Sequence, residues 1–344
     1  MRIENDLEFI FGKIGNICKN FTNKTFFITG GTGFFGKWFL HFFIYLKEKK
    51  NINIKIYVLS RNPARFLEQY SIFDKDYIIF IKGDIREFKF IDGRIDYILH
   101  LAATNAEETF NNMDPLEKFE SSAFGIKRIL EFARVKKIKK FLFASSGSIY
   151  GKNCQEEFIS ENCLTSPNIL DNVASALPEG KRVSEFYCSY YSQKYNLNIT
   201  IARCFSFVGP YLQMDVHYAI GNFIKSSIEE KRIYINGDGT PIRSFMYISD
   251  LIIWLLTILF QGKSGEAYNV GSSKGITILE LAKLVASCFD EDIKIEIARQ
   301  EDKKTSSSNR YLPSIEKAKN ELGLEEYTNL KEAIKKTIRS LECQ

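Results

Sequence analysis

Short apolar runs alternate with longer amphipathic stretches through the first part of the chain. The runs are too short for helices and predict buried strands; they occupy 25–29, 52–59, 77–82, 95–101, 141–144 and 198–204. The stretches between them have helical spacing, the longest at 34–49, 115–135 and 175–195. This alternation predicts an α/β fold, a Rossmann-type doubly wound parallel sheet.

The pattern changes beyond residue 208, where segments shorten and Gly-rich turns appear, with helices expected at 279–288 and 314–322. We therefore expect a smaller C-terminal α/β substrate lobe. Three parts are predicted: an N-terminal helical extension at 1–24, a dinucleotide-binding Rossmann domain at 25–208 that includes the catalytic Ser/Lys region, and a mainly substrate-binding lobe at 209–344.

Composition narrows the classes of partner and compartment. The chain has a net charge of +5, spread along 344 residues that are 45% hydrophobic. This charge does not indicate binding to nucleic acid or to an anionic membrane. The longest apolar run, 251–260, is roughly half of what a bilayer needs, so no membrane span is expected. The seven cysteines include no CxxC pair, and the start of the chain lacks signal-peptide zones. These features predict reduced thiols, no metal site and a cytoplasmic protein.

A glycine pattern follows the first predicted strand and opens the first long helix. Gly30, Gly33 and Gly36 stand at the three places where a dinucleotide-binding loop needs no side chain. The first allows a tight turn, the second lets a pyrophosphate approach the backbone, and the third lets the helix pack on the strand. The strand–glycine–helix context predicts that the chain binds NADP or NAD.

The end of the second strand bears on the choice of cofactor. A carboxylate there would hold the ribose hydroxyls of NAD, but the chain has Ser60 and Arg61. Arg61 with Ser60 could pair with a 2′-phosphate, which favours NADP. The alternative is a solvated loop arginine, with NAD bound without the usual acid. Asp84, after the third strand, is a candidate contact of the adenine amino group.

Several further phrases occur in a fixed order along the chain. They are 83–85, 100–103, 145–151, 203–210, 237–239 with Arg243, 268–271 and 314–318. With the glycine loop, they resemble the extended short-chain dehydrogenase/reductases, and more narrowly the NAD(P)-dependent nucleotide-sugar epimerase/dehydratase family. The resemblance implies hydride transfer at C4 of a nucleoside-diphosphate sugar. It also implies cofactor contacts at Phe34, Phe35, Ile85, Ala102 and Lys181.

The family's usual catalytic set is Ser/Thr with a Tyr-x-x-x-Lys pair, and only part of it is present. Ser146 and Lys181 match, but Leu177 stands four residues before Lys181 and cannot transfer a proton. Because Pro178 suits a first helical turn, we expect this helix to begin later than in relatives. Glu179, Tyr150 or Tyr187 could substitute for the tyrosine. Alternatively, Ser146 and Lys181 act through a water molecule, or the protein binds its ligands without catalysis, in a regulatory role.

Gly147 and Ser148 stand where 4,6-dehydratases of this family have Asp-Glu. The resemblance therefore disfavours the usual dehydration, and also decarboxylation, which relies on Glu at the second position. Epimerisation or net oxidoreduction remains easiest, because neither needs a further carboxylate pair. A dehydratase with substitute acid/base residues stays an alternative.

The resemblance also assigns substrate contacts and an assembly. Arg243 matches the family's diphosphate-binding arginine, since a guanidinium can bind two phosphate oxygens at once. Arg310 and His217 are further candidates, and Ser122 and Ser206 stand where relatives commonly have Asn. Relatives often dimerise through two helices per subunit, so we expect a homodimer through the helices at 115–135 and 175–195.

Overall fold

The computed structural model describes residues 3–102, 113–151, 154, 156–214, 218–298 and 309–342. A parallel sheet lies at the centre, and its strands are β1 Lys24–Thr29, β2 Ile54–Ser60, β3 Ile78–Lys82, β4 Tyr97–His100, β5 Lys140–Ser146, β6 Ile199–Cys204 and β11 Ala267–Val270. Their order across the sheet is β3-β2-β1-β4-β5-β6-β11. The strand order reverses between β1 and β4, where open α/β sheets bind ligands. The Rossmann-type prediction is confirmed.

Ten helices accompany the strands in the described ranges. They are α1 Glu4–Cys18, α2 Phe34–Lys50, α3 Pro63–Gln69, α4 Pro115–Lys136, α5 Asn172–Tyr195, α6 Ala219–Glu230, α7 Ile248–Gln261, α8 Ile278–Ala286, α9 Glu316–Leu322 and α10 Leu330–Leu341. Short strands build the C-terminal part: β7 Phe207–Val208, β8 Arg232–Ile235, β9 Ile242–Arg243, β10 Met246–Tyr247, β12 Ile276–Thr277, β13 Lys294–Ile297 and β14 Arg310–Tyr311.

Side chains of the central strands alternate between the two faces of the sheet, as strand geometry requires. Phe26 and Ile28 belong to one core cluster with Trp38 of α2 and Trp254 of α7. Phe27 belongs to a second cluster on the opposite face, beneath α4 and α5. The sheet is therefore covered on both sides, which explains why its strands are continuously apolar.

The apolar run at 251–260 lies within α7, and its side chains are buried from Leu251 to Leu259. It packs on the central sheet. Among the described helices, none combines the length and the apolar character needed to cross a bilayer.

Helix α5 begins earlier than expected, so the prediction from Pro178 is wrong. The helix starts at Asn172, and Pro178 lies in its interior. Asp171 provides the start signal, since its side chain accepts from the Ala174 amide at 3.4 Å and its carbonyl accepts from the Ser175 hydroxyl at 2.5 Å. Leu177 and Lys181 are therefore one turn apart on a continuous helix.

Segments from beyond residue 208 complete the central sheet, since β11 pairs with β6 at its edge. The N-terminal helix α1 packs beside α7, and its buried Asp6 accepts from Tyr247 at 2.7 Å and from Lys336 at 2.6 Å. These bonds join the two ends of the described chain. The three-part division at residues 24 and 208 stays a prediction.

Candidate cofactor and substrate site

The glycine loop joins β1 to α2 with its backbone closely packed on one side and open on the other. Gly30 has φ +70°, and a Cβ there would lie 2.7 Å from the Ala102 nitrogen. A Cβ on Gly36 would lie 2.3 Å from the Gly30 carbonyl oxygen. At Gly33 the same atom would meet only that oxygen, at 3.4 Å. No side chain caps the start of α2, so the first backbone amides of this helix can donate to a ligand. Together with the open approach at Gly33, these amides fit the pyrophosphate of a dinucleotide.

Lys181 of α5 reaches the carboxyl ends of β4 and β5. Its Nζ donates to the Ala144 carbonyl at 2.8 Å and to the Ala102 carbonyl at 3.4 Å, and it lies 4.7 Å from the centre of the Phe143 ring. The side chain is buried, and burial lowers the pKa of Lys181 to about 8. Because Ala102 also packs on Gly30, the lysine and the glycine loop meet at one residue.

A buried histidine, His100, lies next to Thr29, whose hydroxyl holds the Ala102 backbone in place. The Thr29 hydroxyl accepts from the Ala102 amide at 3.3 Å and lies 2.7 Å from Nδ1 of His100. Having accepted one bond, it can donate its own proton to Nδ1. Burial holds the pKa of His100 well below its usual range, with the Lys181 charge acting in the same direction. A neutral His100 therefore fixes the backbone beside the loop.

Ser146 ends β5 at the same edge of the sheet. Its hydroxyl accepts from the Ser148 amide at 3.1 Å and begins a short 3₁₀ turn, Gly147–Tyr150. The Tyr311 hydroxyl, from β14, lies beside the next residue, since a Cβ on Gly147 would be 2.6 Å from its oxygen. Sequence reasoning missed Tyr311, because no local pattern links residue 311 to β5.

The α5 candidates for the missing tyrosine, Glu179 and Tyr187, both follow position 177 along the helix. Leu177 is half-buried, and Glu179 forms an ion pair with Arg182 at 3.4 Å. The other Glu179 oxygen is buried and has no hydrogen-bond partner among the described residues. Tyr187 packs against the core cluster beneath α4 and α5.

Tyr150 is buried in a polar network that joins the central sheet to the C-terminal part. Its hydroxyl donates to Asn269 Oδ1 at 2.8 Å and accepts from Arg203 Nη1 at 2.8 Å. Arg203 pairs with Glu185 at 2.8 Å, and Glu185 accepts from the Ser145 hydroxyl at 2.6 Å. Burial raises the pKa of Tyr150 well above its usual range. Both bonding capacities of this phenol are thus in use.

Asp84, the predicted contact of the adenine amino group, is paired with a neighbouring arginine. Arg86 Nε donates to Asp84 at 2.8 Å, and this bond lowers the pKa of Asp84. The charge of Arg61, which follows β2, acts in the same direction. Ser60 is half-buried at the end of β2. Ile85 packs against Gly125 of α4.

The two phenylalanines that open α2 pack against the core rather than projecting into solvent. Phe34 and Phe35 are half-buried, and the Phe35 ring lies 5.1 Å from that of Phe207 in an edge-on arrangement. Their contacts hold the start of α2 in place beside the glycine loop.

The predicted substrate arginines lie on paired strands but face different neighbours. Arg243 of β9 donates to the Asn309 carbonyl at 2.7 Å and is paired in register with Tyr311 of β14. Arg310 instead forms an ion pair with Glu157 at 2.7 Å. Only Arg243 is thus placed beside the group that reaches Ser146.

The remaining substrate candidates are less central. Ser206 lies between β6 and β7, where its carbonyl accepts from the Met246 amide at 3.0 Å. Ser122 faces Gly180 where α4 crosses α5, and a Cβ on Gly180 would lie 2.8 Å from that of Ser122. His217 lies outside the described residues.

Two cysteines that no sequence pattern paired lie together in the loop after the 3₁₀ turn. Their sulfur atoms, on Cys154 and Cys163, are 2.6 Å apart, and the ligand atoms of these residues and Glu156 all lie within 4.8 Å of one another. Three such ligands are one fewer than a structural zinc site uses. Burial raises the pKa of Cys154 to about 11, which favours the thiol over the thiolate.

Comparisons with known proteins agree with this geometry. Residues 26–271 match the NAD dependent epimerase/dehydratase family. UDP-glucuronic acid decarboxylase 6 of Arabidopsis thaliana is 26% identical over 91% of this chain and 87% of the relative. The dTDP-D-glucose 4,6-dehydratase of Bos taurus is 27% identical over 92% of this chain and 88% of the relative.

Solved structures share the fold over most of their length. Epimerase Mth375 of Methanothermobacter thermautotrophicus has a TM-score of 0.79 and 24% identity, with 96% of each chain covered. UDP-glucuronic acid 4-epimerase from Bacillus cereus, in complex with UDP-glucuronic acid and NAD, has a TM-score of 0.76 and 22% identity, covering 93% of this chain and 99% of that one.

Proposed function

Because the chain belongs to the NAD-dependent epimerase/dehydratase family, we propose that it moves a hydride at C4 of a nucleoside-diphosphate sugar, by epimerisation or net oxidoreduction. The observation that carries this proposal is the junction at Ala102, where the glycine loop and the buried Lys181 ammonium meet. A phosphate-binding backbone and a charged amine thus share one edge of the sheet with Ser146. A dinucleotide and a sugar hydroxyl can be held there together.

Each group has a separate role in this proposal. A nicotinamide dinucleotide, when bound, supplies or accepts the hydride. The first amides of α2 hold its pyrophosphate, with Gly33 giving access to the backbone. Lys181 presents a positive charge at the carboxyl ends of β4 and β5, and the Ser146 hydroxyl orients the reacting oxygen. Arg243 binds the substrate diphosphate.

Gly147 and Ser148 argue against dehydration and decarboxylation. Relatives named for both reactions nevertheless match this chain. Gly147 has no side chain, and the Ser148 hydroxyl is buried without a hydrogen-bond partner among the described residues. Neither can remove a C5 proton or protonate a leaving hydroxyl, which is what the family's Asp-Glu pair does. Epimerisation or net oxidoreduction therefore stays the favoured outcome.

NADP is the proposed cofactor in preference to NAD. Ser60 and Arg61 stand at the end of β2, where a carboxylate would hold the ribose hydroxyls of NAD. A 2′-phosphate would add a charge that Arg61 can bind. Titration calorimetry should give a lower Kd for NADP than for NAD, and Arg61→Ala should reduce that ratio at least tenfold. An unchanged ratio would contradict the preference.

We also propose a homodimer through α4 and α5. These helices expose large apolar side chains that a solvated surface would not favour, including Phe124 (52% exposed) and Phe186 (65% exposed). Light scattering should give a mass of about twice 39.7 kDa for the wild-type protein and a lower mass for Phe186→Asp. A monomeric wild-type protein would exclude this assembly.

The main test uses purified protein with NAD or NADP and a panel of UDP-, dTDP-, GDP- and CDP-sugars. Proton NMR in deuterated water follows the C4 and C5 signals. A new sugar with changed configuration or oxidation state at C4 is the expected result. Saturable binding with unchanged spectra for every sugar would instead identify a non-catalytic binding protein, which the leucine at position 177 would explain.

A further inference from the structure

Two departures from the family pattern lie on elements that pack together, helix α5 and the turn at the end of β5. Leu177 puts an alkyl group one turn before Lys181, where a phenol is expected, and Gly147 puts no side chain after Ser146. The first removes a proton-transfer group, and the second leaves space beside the serine.

Tyr311 fills that space. A Cβ on Gly147 would lie 2.6 Å from the Tyr311 hydroxyl oxygen and 2.7 Å from Cε2 of Phe205. The Tyr311 ring packs on Phe205 with centroids 4.6 Å apart, and the Ser146 side chain, next to Gly147, lowers the pKa of Tyr311. A residue with any side chain at position 147 would push this phenol away from Ser146.

Charges around Tyr311 connect it with the rest of the site. Arg243 is its register partner on β9, and the Arg243 charge lowers the pKa of Tyr311. Tyr218 and Cys204 are the other titratable groups that act on this pKa, and both raise it. The phenol lies beside Gly147 at the end of β5, the strand whose Ala144 carbonyl accepts from Lys181.

We propose that Tyr311 is the proton-transfer residue of this site and replaces the tyrosine missing from α5. The proposal rests on the proposed function, and it assigns a catalytic role to a residue of the C-terminal part. Its place beside Ser146 puts the phenol next to the oxygen on the reacting sugar carbon.

The step can be written in both directions. In reduction, the keto carbon of the sugar takes a hydride, with the reduced nicotinamide dinucleotide as reductant. Its carbonyl oxygen takes the Tyr311 proton and becomes a hydroxyl, and the phenolate that is left takes a proton from water. In oxidation, the phenolate takes the hydroxyl proton as the hydride leaves for the oxidised dinucleotide.

The environment of the phenol suits proton donation, which is the reducing half of the reaction. Burial raises the pKa of Tyr311 well above its usual range, while Ser146 and the Arg243 charge act against this rise. The resting phenol therefore holds its proton at neutral pH and can give it to a developing alkoxide.

The other candidates have different surroundings. Tyr150 is bonded to both Arg203 and Asn269. Glu179 is paired with Arg182 through one oxygen, and its other oxygen is buried without a hydrogen-bond partner among the described residues. Beside Ser146, the atom nearest to a Cβ built on Gly147 belongs to Tyr311.

The test compares wild type, Tyr311→Phe and Tyr218→Phe on the sugar nucleotide that the wild-type enzyme converts. Tyr311→Phe keeps the ring on Phe205 and removes only the hydroxyl. We expect its kcat to fall at least 100-fold, with KM and the Kd for the dinucleotide within threefold of wild type and the melting temperature nearly unchanged. Tyr218→Phe, which removes the neighbouring half-exposed phenol, should stay within threefold in kcat.

The outcomes separate the two proposals. If wild type converts a sugar and Tyr311→Phe converts it within threefold of the same rate, Tyr311 is not the proton-transfer residue although the proposed function stands. If Tyr218→Phe shows the large loss instead, the role belongs to Tyr218. If wild type converts none of the sugars, both proposals are wrong.

Discussion

Replacing Lys181 with methionine tests whether the structure keeps a costly charge at the site. The pKa of Lys181 falls from 10.5 to about 8 on folding, because the ammonium is buried. Each unit corresponds to about 1.4 kcal/mol, so burying the charge costs about 3 kcal/mol at pH 7. Methionine fills a similar volume without a charge. It gives up the charge-assisted bonds to Ala144 and Ala102, worth about 1.5 kcal/mol each at the low end of the usual range.

The sign of the pH dependence follows from the direction of the shift. Since the folded pKa is the lower one, the unfolded chain binds more protons between about pH 8 and 10.5, and wild-type stability rises with pH across that window. The cost at pH 9.5 is about 2 kcal/mol smaller than at pH 7. Lys181→Met has no such group, and all other titrating groups are common to both proteins.

Urea unfolding can be followed by the fluorescence of Trp38 and Trp254, which are both fully buried. At pH 7, Lys181→Met should be about as stable as wild type while it loses activity, because the relieved burial and the lost bonds are each worth about 3 kcal/mol. By pH 9.5 wild type should be about 2 kcal/mol more stable than the variant. A stability difference that stays constant from pH 7 to 9.5 would refute the lowered pKa of a buried Lys181 ammonium.

Two further substitutions test the placement of the phenols. Leu177→Tyr puts a phenol one turn before Lys181 on the continuous helix α5; steady-state kinetics should show at least a threefold change in kcat, and a variant indistinguishable from wild type would mean that this face of α5 does not border the reacting groups. Tyr150→Phe removes the bonds to Asn269 and Arg203; it should lower the free energy of unfolding by about 1–3 kcal/mol and leave kcat within threefold, whereas a 100-fold loss of kcat at unchanged stability would make Tyr150 the acid/base.

Much of the fold followed from local patterns. The short apolar runs predict the central strands because both faces of a parallel sheet are buried. The glycine loop can be recognised in the sequence because backbone contacts fix its three glycine positions. Helix α3 was missed because it lies in a polar stretch of only seven residues. The start of α5 was misplaced because Asp171 and its cap outweigh the signal of Pro178.

The site could be predicted only where its residues are local in sequence. Lys181 and Ser146 match a motif, but their burial and partners depend on packing between β4, β5 and α5. Tyr311 reaches Ser146 through the pairing of β14 with β9, a contact that no local spacing encodes. Tyr150 has the right chemistry for catalysis, yet its partners come from β6 and β11.

The proposed chemistry depends most directly on a dinucleotide held by bare backbone at the start of α2. Titration calorimetry with NAD and NADP, on wild type and Gly33→Val, measures this without any sugar. We predict saturable binding of at least one dinucleotide by wild type and at least tenfold weaker binding by Gly33→Val, because the new side chain would occupy the open approach. Equal affinity in the two proteins, or no affinity for either dinucleotide in wild type, would contradict the central claim.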